Sequence, residues 1–316
     1  MTGQARTDMG VAAGLVLLAI GAYAMPTWVL SVAAVALAKG LVAIGLLLLL
    51  RAGLVPFGHA MYFCIGGYAT GIAAQFGGVR DIFLLLAIAA CSAGVIALAA
   101  GFLLRRYRGI FFAMLSMALS MILYGILLKS QSLGSSDGFS VPRPTIFGLS
   151  MAGASAVSII YLVIAVSLAA VMLIASRYLK TTLGHIGPAV RLNELRIEYL
   201  GYAAERLIHL EYVASGLLGG LAGGLVALFI GQIDPGMGFW TTSGEFVFIA
   251  ILAGTGGVWG AVAAAFILEI VHAVAFNFAP QYWKFVLGST LLVLILRFPG
   301  GLSSIRWGRR AGQADA

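Results

Sequence analysis

The sequence predicts an all-α, polytopic transmembrane bundle of about 8–10 spans, with both termini cytoplasmic and one short cytoplasmic helix between spans. Three observations predict it. Of 316 residues, 61% are hydrophobic and only 9% charged, against about 25% charged in an ordinary soluble domain. The apolar residues gather in repeated runs of membrane-spanning length, which excludes a soluble domain on a single anchor and points to one membrane domain over residues 1–316. The basic residues favour one side of those runs. A net charge of +8 in a soluble protein would suggest nucleic acid. Here an excess of Lys and Arg in cytoplasmic loops accounts for it, and no nucleic-acid partner is expected.

In chain order, residues 1–9 are polar and carry Arg6, and residues 10–25 form a short first apolar run. That run ends in Ala22-Tyr23-Ala24, which resembles a signal-peptide cleavage site. The apolar run that follows favours an uncleaved first helix. Residues 27–50 form the second span, with Lys39 inside it and Arg51 after it. Residues 53–76 are apolar but carry Pro56, Gly58, His59, Gly66, Gly67 and Gly71. A broken helix is tolerated in a membrane only where it faces protein or a water-filled cavity, so this segment is the candidate in the first half for lining a pathway. Residues 82–104 form a span, Arg105, Arg106 and Arg108 a basic cytoplasmic turn, and residues 109–128 the return. A Ser-, Gly- and Pro-rich loop, SQSLGSSDGFSVPRPTIFG, lies outside.

Residues 154–176 come back in and residues 207–230 go out; Gly216, Gly220 and Gly224 repeat at i+4 with Gly219 and Gly223 beside them, a spacing that lets helices pack closely in lipid. GQIDPGMGFW is an outer loop. The run 245–276 is too long for one straight helix and breaks at Gly254-Thr255-Gly256-Gly257, a cytoplasmic turn. Residues 282–296 form the last span, followed by Arg297, Arg306, Arg309 and Arg310. On this layout fourteen of the nineteen Lys and Arg residues lie inside, four (Arg80, Lys129, Arg143, Lys284) lie outside, and Lys39 lies within a span. The two cysteines, Cys64 and Cys91, read as small buried hydrophobes and not as a disulfide or a metal site.

The longest polar interval is Arg177–Arg206, RYLKTTLGHIGPAVRLNELRIEYLGYAAER. From Val190 it reads as a helix with Pro188 as its start signal. At 100° per residue Glu194, Glu198, Gly201 and Glu205 share a narrow arc, a carboxylate stripe with a glycine for close approach, while Leu192, Leu195 and Tyr199 line another side. Such a helix is a handle for a second protein or a solvated linker; the segment alone leaves both open.

Catalytic chemistry is sparse. The chain has no phosphate-binding G-x-x-x-x-G-K-[ST] loop, H-E-x-x-H, Cys-x-x-Cys or G-x-S-x-G pattern, so neither enzymatic activity nor a cofactor is expected. Glu269 and His272 lie at i, i+3 on one face of a spanning helix. Ionisable groups inside a span default to a functional hypothesis, although the pair can equally satisfy itself. His59 faces the same choice, between a carbonyl freed by Pro56 and a substrate. Lys39 either pairs with a carboxylate or extends to the interface. Glu211, near the start of a span, is read as interfacial.

Several runs, taken together, resemble the branched-chain amino acid ABC transporter permeases of the LivM type. GLVPFGHAMYFCIGGYATG is similar to that family's G-L-x-S-x-G-H-A-x-F-x-x-I-G-A-Y segment. RYRGIFFAMLSMALSMI with SSDGFSVPRP, RLNELRIEYLGYAAER, AGTGGVWGAVAAAFILEI and RFPGGL follow in the family's order. The departures are Val55-Pro56 for Leu-Ser, Cys64, and the charges Lys39 and Arg51. The resemblance implies an inner-membrane permease subunit of an ATP-driven importer, translocating branched-chain amino acids by alternating access. Its implied partners are a second homologous permease, two cytoplasmic ATPase subunits, a substrate-binding protein and membrane lipid. It also implies that RLNELRIEYLG docks on the ATPase, with Arg191, Glu194, Glu198, Gly201 and Glu205 as the contact. From the broken segment and the ionisable pair within a span, Pro56, His59, Gly66, Gly67, Glu269 and His272 are the pathway candidates. Urea, short amides and aromatic acids are alternative cargoes for the same machinery. A proton-coupled secondary transporter using Glu269, His272 and His59 is the alternative mechanism.

Overall fold

The computed structural model describes Gly14, Gly21 and residues 26–146, 149–150, 154–278, 280–297 and 300–303. The first apolar run, with the cleavage-like Ala22-Tyr23-Ala24, and the basic tail from Arg306 lie outside the described residues, apart from Gly14 and Gly21. The described chain is helical almost throughout: α1 Thr27–Arg51, α2 His59–Gln75, α3 Ile82–Leu104, α4 Gly109–Lys129, α5 Ala154–Tyr178, α6 Thr182–Leu192, α7 Glu194–Tyr199, α8 Ala204–Ile230, α9 Trp240–Ala253, α10 Val258–Phe278 and α11 Trp283–Arg297. Six of these (α1, α3, α4, α5, α8 and α10) are long and apolar enough to cross a membrane. The fold is the expected all-α polytopic bundle.

The helices α2, α9 and α11 are shorter, at 17, 14 and 15 residues. The break expected at Gly254-Thr255-Gly256-Gly257 is present, with Gly254 at φ +72° closing α9. Residues Ala52–Gly58 ahead of α2 are not helical. Their backbone is accommodated by serines from neighbouring helices: Phe57 N donates to Ser116 Oγ at 3.0 Å and Ala60 N to Ser243 Oγ at 3.0 Å. Non-helical backbone at membrane depth survives where protein covers it in this way.

The core is α1, apolar around its whole circumference and buried from Leu37 to Leu49 except at Lys39. A helix that is hydrophobic all round belongs inside a larger assembly of helices. Next to it, α8 is wedged between α2 and α3 by its glycines. Gly216, Gly220 and Gly224 oppose Ala97, Ala93 and Ala89 of α3 in antiparallel order, and a Cβ on Gly216 or Gly224 would lie 2.5 or 2.6 Å from the facing alanine Cβ. Gly219 and Gly223 face Tyr62 and Phe63 of α2. The small-residue spacing is therefore a packing device. In the absence of a hydrophobic drive between helices in lipid, such close backbone approach supplies the van der Waals energy of association.

The loops segregate to two ends. At one, β1 (Phe139–Ser140) pairs antiparallel with β4 (Gln232–Ile233), β2 (Thr145–Ile146) pairs with β3 (Leu149–Ser150), and Thr145 N donates to Arg80 O at 2.6 Å. Three of the four loops expected outside, those with Arg80, Arg143 and Asp234, thus meet. At the other end lie the Arg105–Arg108 turn, the Arg177–Arg206 segment and the Gly254–Gly257 turn. One cysteine reading needs correction: Cys64 is buried, but Cys91 is exposed on the outward face of α3. Only the α3 face bearing Ala89, Ala93 and Ala97 packs inward against α8.

Candidate functional site

The polar segment is built differently from the single helix expected. Thr181 caps α6, accepting from Gly184 N at 3.3 Å, so the helix starts at Thr182 and Pro188 lies inside it instead of opening it. A prolyl nitrogen donates nothing, and the Gly184 carbonyl four residues back is met by Arg51 Nη2 at 3.4 Å. The chain then breaks at Asn193, extended at φ −162°, whose side chain caps α7 by accepting from Arg196 N at 3.0 Å. After Tyr199 the chain turns through Gly201 at φ +88°, and Glu205 belongs to the first turn of α8.

The carboxylate stripe is therefore not continuous: an asparagine that caps better than it continues a helix, and a left-handed glycine, divide it. Glu194 faces Arg108, with Arg108 Nε 2.9 Å from Oε2 and Nη2 2.5 Å from Oε1. Glu205 lies 3.7 Å from Arg105 Nε. Glu198 and Arg191 are exposed, Arg191 with its aliphatic stem against Gly53, and a Cβ on Gly201 would meet nothing within 4 Å.

Beside these charges the segment presents large apolar side chains outward. Leu192 is 87%, Leu195 67%, Tyr199 90% and Leu200 68% exposed, while Ile197 is buried and anchors α7. The sequence carried this signal in the Leu192, Leu195 and Tyr199 side, which draws less attention than four charges. The Arg108–Glu194 fork fixes α7 to the α3–α4 turn. Both side chains are about a third exposed, so solvent screening limits the pair to about 1 kcal/mol. Arg108→Glu and Glu194→Arg should each lower the unfolding midpoint in detergent, and the double swap should recover most of the loss. A double variant that shows no recovery would mean the fork contributes nothing.

Within the bundle, the membrane charges meet. Lys39, the thirteenth of the 25 residues of α1, places Nζ 2.7 Å from Glu269 Oε2 on α10 and 3.2 Å from Glu245 Oε2 on α9. His272 Nδ1 lies 3.7 Å from Glu269 Oε1, and the Trp283 ring of α11 lies tilted against the His272 ring, centroids 4.7 Å apart. A cavity of about 10 Å3, the size of one water, is lined by these four charged or titratable groups with Ile249, Leu268 and Leu287. Lys39 thus takes the pairing alternative, and Glu269 and His272 meet as their spacing predicts. Glu245, a third-helix partner, carried no sequence signal beyond being a lone carboxylate in an apolar run.

The other pathway candidates sit elsewhere. His59 is fully buried, its Nε2 2.5 Å from Ser215 Oγ, among the edges of Tyr62 and Tyr212, whose hydroxyls meet at 2.9 Å. It satisfies a hydroxyl from α8, not a carbonyl freed by Pro56. Gly66 abuts the Gly220 backbone, and Gly67 lies under Ile233 and Met237. These residues with Pro56 shape α2 and seat it on α8; they do not join the Lys39 cluster. Glu211, expected at the interface, is 3% exposed and accepts from Tyr178 Oη at 3.0 Å.

Comparison with known proteins agrees with this architecture. The chain is 26% identical over 276 residues to the high-affinity branched-chain amino acid transport system permease protein LivM of Escherichia coli, covering 79% of this chain and 64% of that one. It is 27% identical over 263 residues to LivH of Salmonella typhimurium, covering 77% and 83%. It is 26% identical over 264 residues to BraD of Pseudomonas aeruginosa, covering 79% and 86%. The chain thus spans about two thirds of the length of its LivM relatives, 64% in the Escherichia coli case. No solved structure matches it. The family model for the permease component of branched-chain amino acid transport systems matches residues 28–296, from the second residue of α1 to the last but one of α11. With six helices able to cross a bilayer arranged around a buried α1, this multi-pass inner-membrane protein belongs to the branched-chain amino acid transport permease family.

Proposed function

We propose that the chain is a permease subunit of an ATP-driven importer for branched-chain amino acids, itself not an enzyme, paired with a second homologous permease. Two cytoplasmic ATPase subunits drive it and a substrate-binding protein delivers the cargo. The observation that carries the reading is the exposed apolar set Leu192, Leu195, Tyr199 and Leu200 on a segment otherwise rich in charge. A membrane protein has no reason to hold four large apolar side chains in water at the end of its bundle unless another protein covers them. Arg191, Glu198 and Gly201 rim that set. Glu194 and Glu205 contribute by holding it in place through Arg108 and Arg105. ATP-driven movement of the ATPases would shift this segment and rock the bundle between inward- and outward-open states. In the pathway, Glu269 and His272 are the charged station, while Pro56, His59, Gly66 and Gly67 act by fixing the position of α2.

The test is co-purification. Leu195→Asp with Tyr199→Ala, both at exposed sites, should leave the permease folded in detergent and strip the ATPase subunits from it. ATPases retained at the parent's ratio would remove the docking assignment. One observation favours a second reading: Lys39, Glu245, Glu269 and His272 form a titratable cluster at mid-bundle, as a proton-coupled transporter would need. That reading predicts uptake without any ATPase and its loss on adding an uncoupler. Urea, short amides and aromatic acids remain cargoes to be titrated against the binding protein alongside leucine.

A further inference from the structure

Arg51 ends α1 at the point where three parts of the molecule meet. Its Nη1 donates to Thr255 O in the α9–α10 turn at 3.0 Å, and its Nη2 donates to Gly184 O in α6 at 3.4 Å. These carbonyls lie 204 and 133 residues away in sequence. The second is open to a side chain because Pro188, four residues on, has no N–H to offer it. The turn that Arg51 holds is itself braced, since Gly256 N donates to Ser303 Oγ at 3.0 Å. Twelve residues up the same helix, Lys39 binds Glu245 of α9 and Glu269 of α10. The α9–α10 hairpin is therefore gripped by α1 at two levels, at its turn by Arg51 and at mid-bundle by Lys39.

The geometry points to Arg51 as a positioning residue that transmits displacement of the docking segment to the α9–α10 hairpin and so to the Lys39 cluster, with Pro188 retained inside α6 to keep its acceptor open. This rests on the ATP-driven reading above. The guanidinium suits the task, since its fixed fork reaches two carbonyls at once, whereas a lysine ammonium is a single point on a flexible stem.

Two variants break the link from opposite sides. Arg51→Gln removes the donor. Pro188→Ala restores an N–H that competes for Gly184 O, and it does so while improving the helix, so misfolding does not explain a loss. In proteoliposomes holding the permease pair, the ATPases and the binding protein, each variant should keep its ATPases and go on hydrolysing ATP. Leucine uptake per ATP should fall by about tenfold, with Arg51→Lys in between. Uptake per ATP equal to the parent in Pro188→Ala or Arg51→Gln overturns the proposal. A second readout needs no ATPase. With Cys91 replaced by serine, spin labels at His185→Cys and Gly257→Cys report the distance between α6 and the hairpin turn. That distribution should be narrow in the parent and broaden in both variants; an unchanged distribution overturns the link. If the unmodified chain brings down no ATPase, the importer reading fails, and the label distances still decide whether Arg51 joins the two elements.

Discussion

Lys39→Met is expected to destabilise the bundle by about 3–5 kcal/mol, the scale on which removing one partner leaves a buried charge uncompensated. Two carboxylates are stranded at once, Glu269 at 2.7 Å and Glu245 at 3.2 Å from the missing ammonium. They sit at the middle of the bundle, where only His272 remains nearby. For a domain of this size the unfolding midpoint in detergent should drop by roughly 10 °C. The diagnostic is rescue. Glu245→Gln with Glu269→Gln in the Lys39→Met background removes the stranded charges and should recover much of the loss, because a neutral buried set is often no less stable than an ionic one. A Lys39→Met protein that melts with the parent would show the pair to be energetically idle.

Gly220→Val should be as damaging for a different reason. A side chain there collides with Ala93 Cβ, and its Cβ would lie 2.7 Å from the Ala89 carbonyl oxygen, so α8 and α3 must separate. Overpacking a well-filled interface costs about 1–3 kcal/mol when side chains can move. Here the obstacle includes backbone, and little folded protein should be recovered by size-exclusion chromatography. Gly244→Ala is the matched control: it lies in α9 with nothing within 4 Å of the new methyl, and a helical glycine-to-alanine change should be neutral or stabilising by up to about 1 kcal/mol. Ala93→Gly combined with Gly220→Ala relieves the methyl contact and should restore part of the yield. Normal yield of Gly220→Val would mean that the helices are not packed as described.

The parts of this architecture that could be read in the sequence are those set by local chemistry. Glycines at i+4 in α8 specify close packing whatever the partner, and Gly254-Thr255-Gly256-Gly257 interrupts any helix. The i, i+3 spacing of Glu269 and His272 already brings them together. The parts that were hidden depend on a distant partner. Nothing near Glu194 indicates that Arg108 will hold it, and nothing near Arg51 indicates two carbonyls from separate loops. Asn193 illustrates a local conflict: its neighbours favour continuing the helix, but its side chain makes a better cap than a helix interior, and the carboxylate arc is broken there. The exposed apolar set was visible but was outweighed by charge. Leucines in a chain this rich in them do not stand out until the fold shows which are left uncovered.

The glycine–alanine contact of α8 also sets how the molecule can change shape. Three glycines each face an alanine one turn apart, on the flank next to the two glycines that face α2. Shifting α8 by one residue, about 1.5 Å, in the direction that replaces Gly216, Gly220 and Gly224 by Leu217, Leu221 and Leu225 would drive leucines into the alanines of α3. Rotating it would do the same on the other flank. The trio α2, α3 and α8 is therefore expected to travel as one piece. The connections from α1 to the α9–α10 hairpin are of the other kind, long side chains meeting oxygens, which can part and re-form without crossing a steric wall. On the proposed cycle the protein is in that sense a hinge with one rigid leaf, its pin along α1 at Lys39 and Arg51.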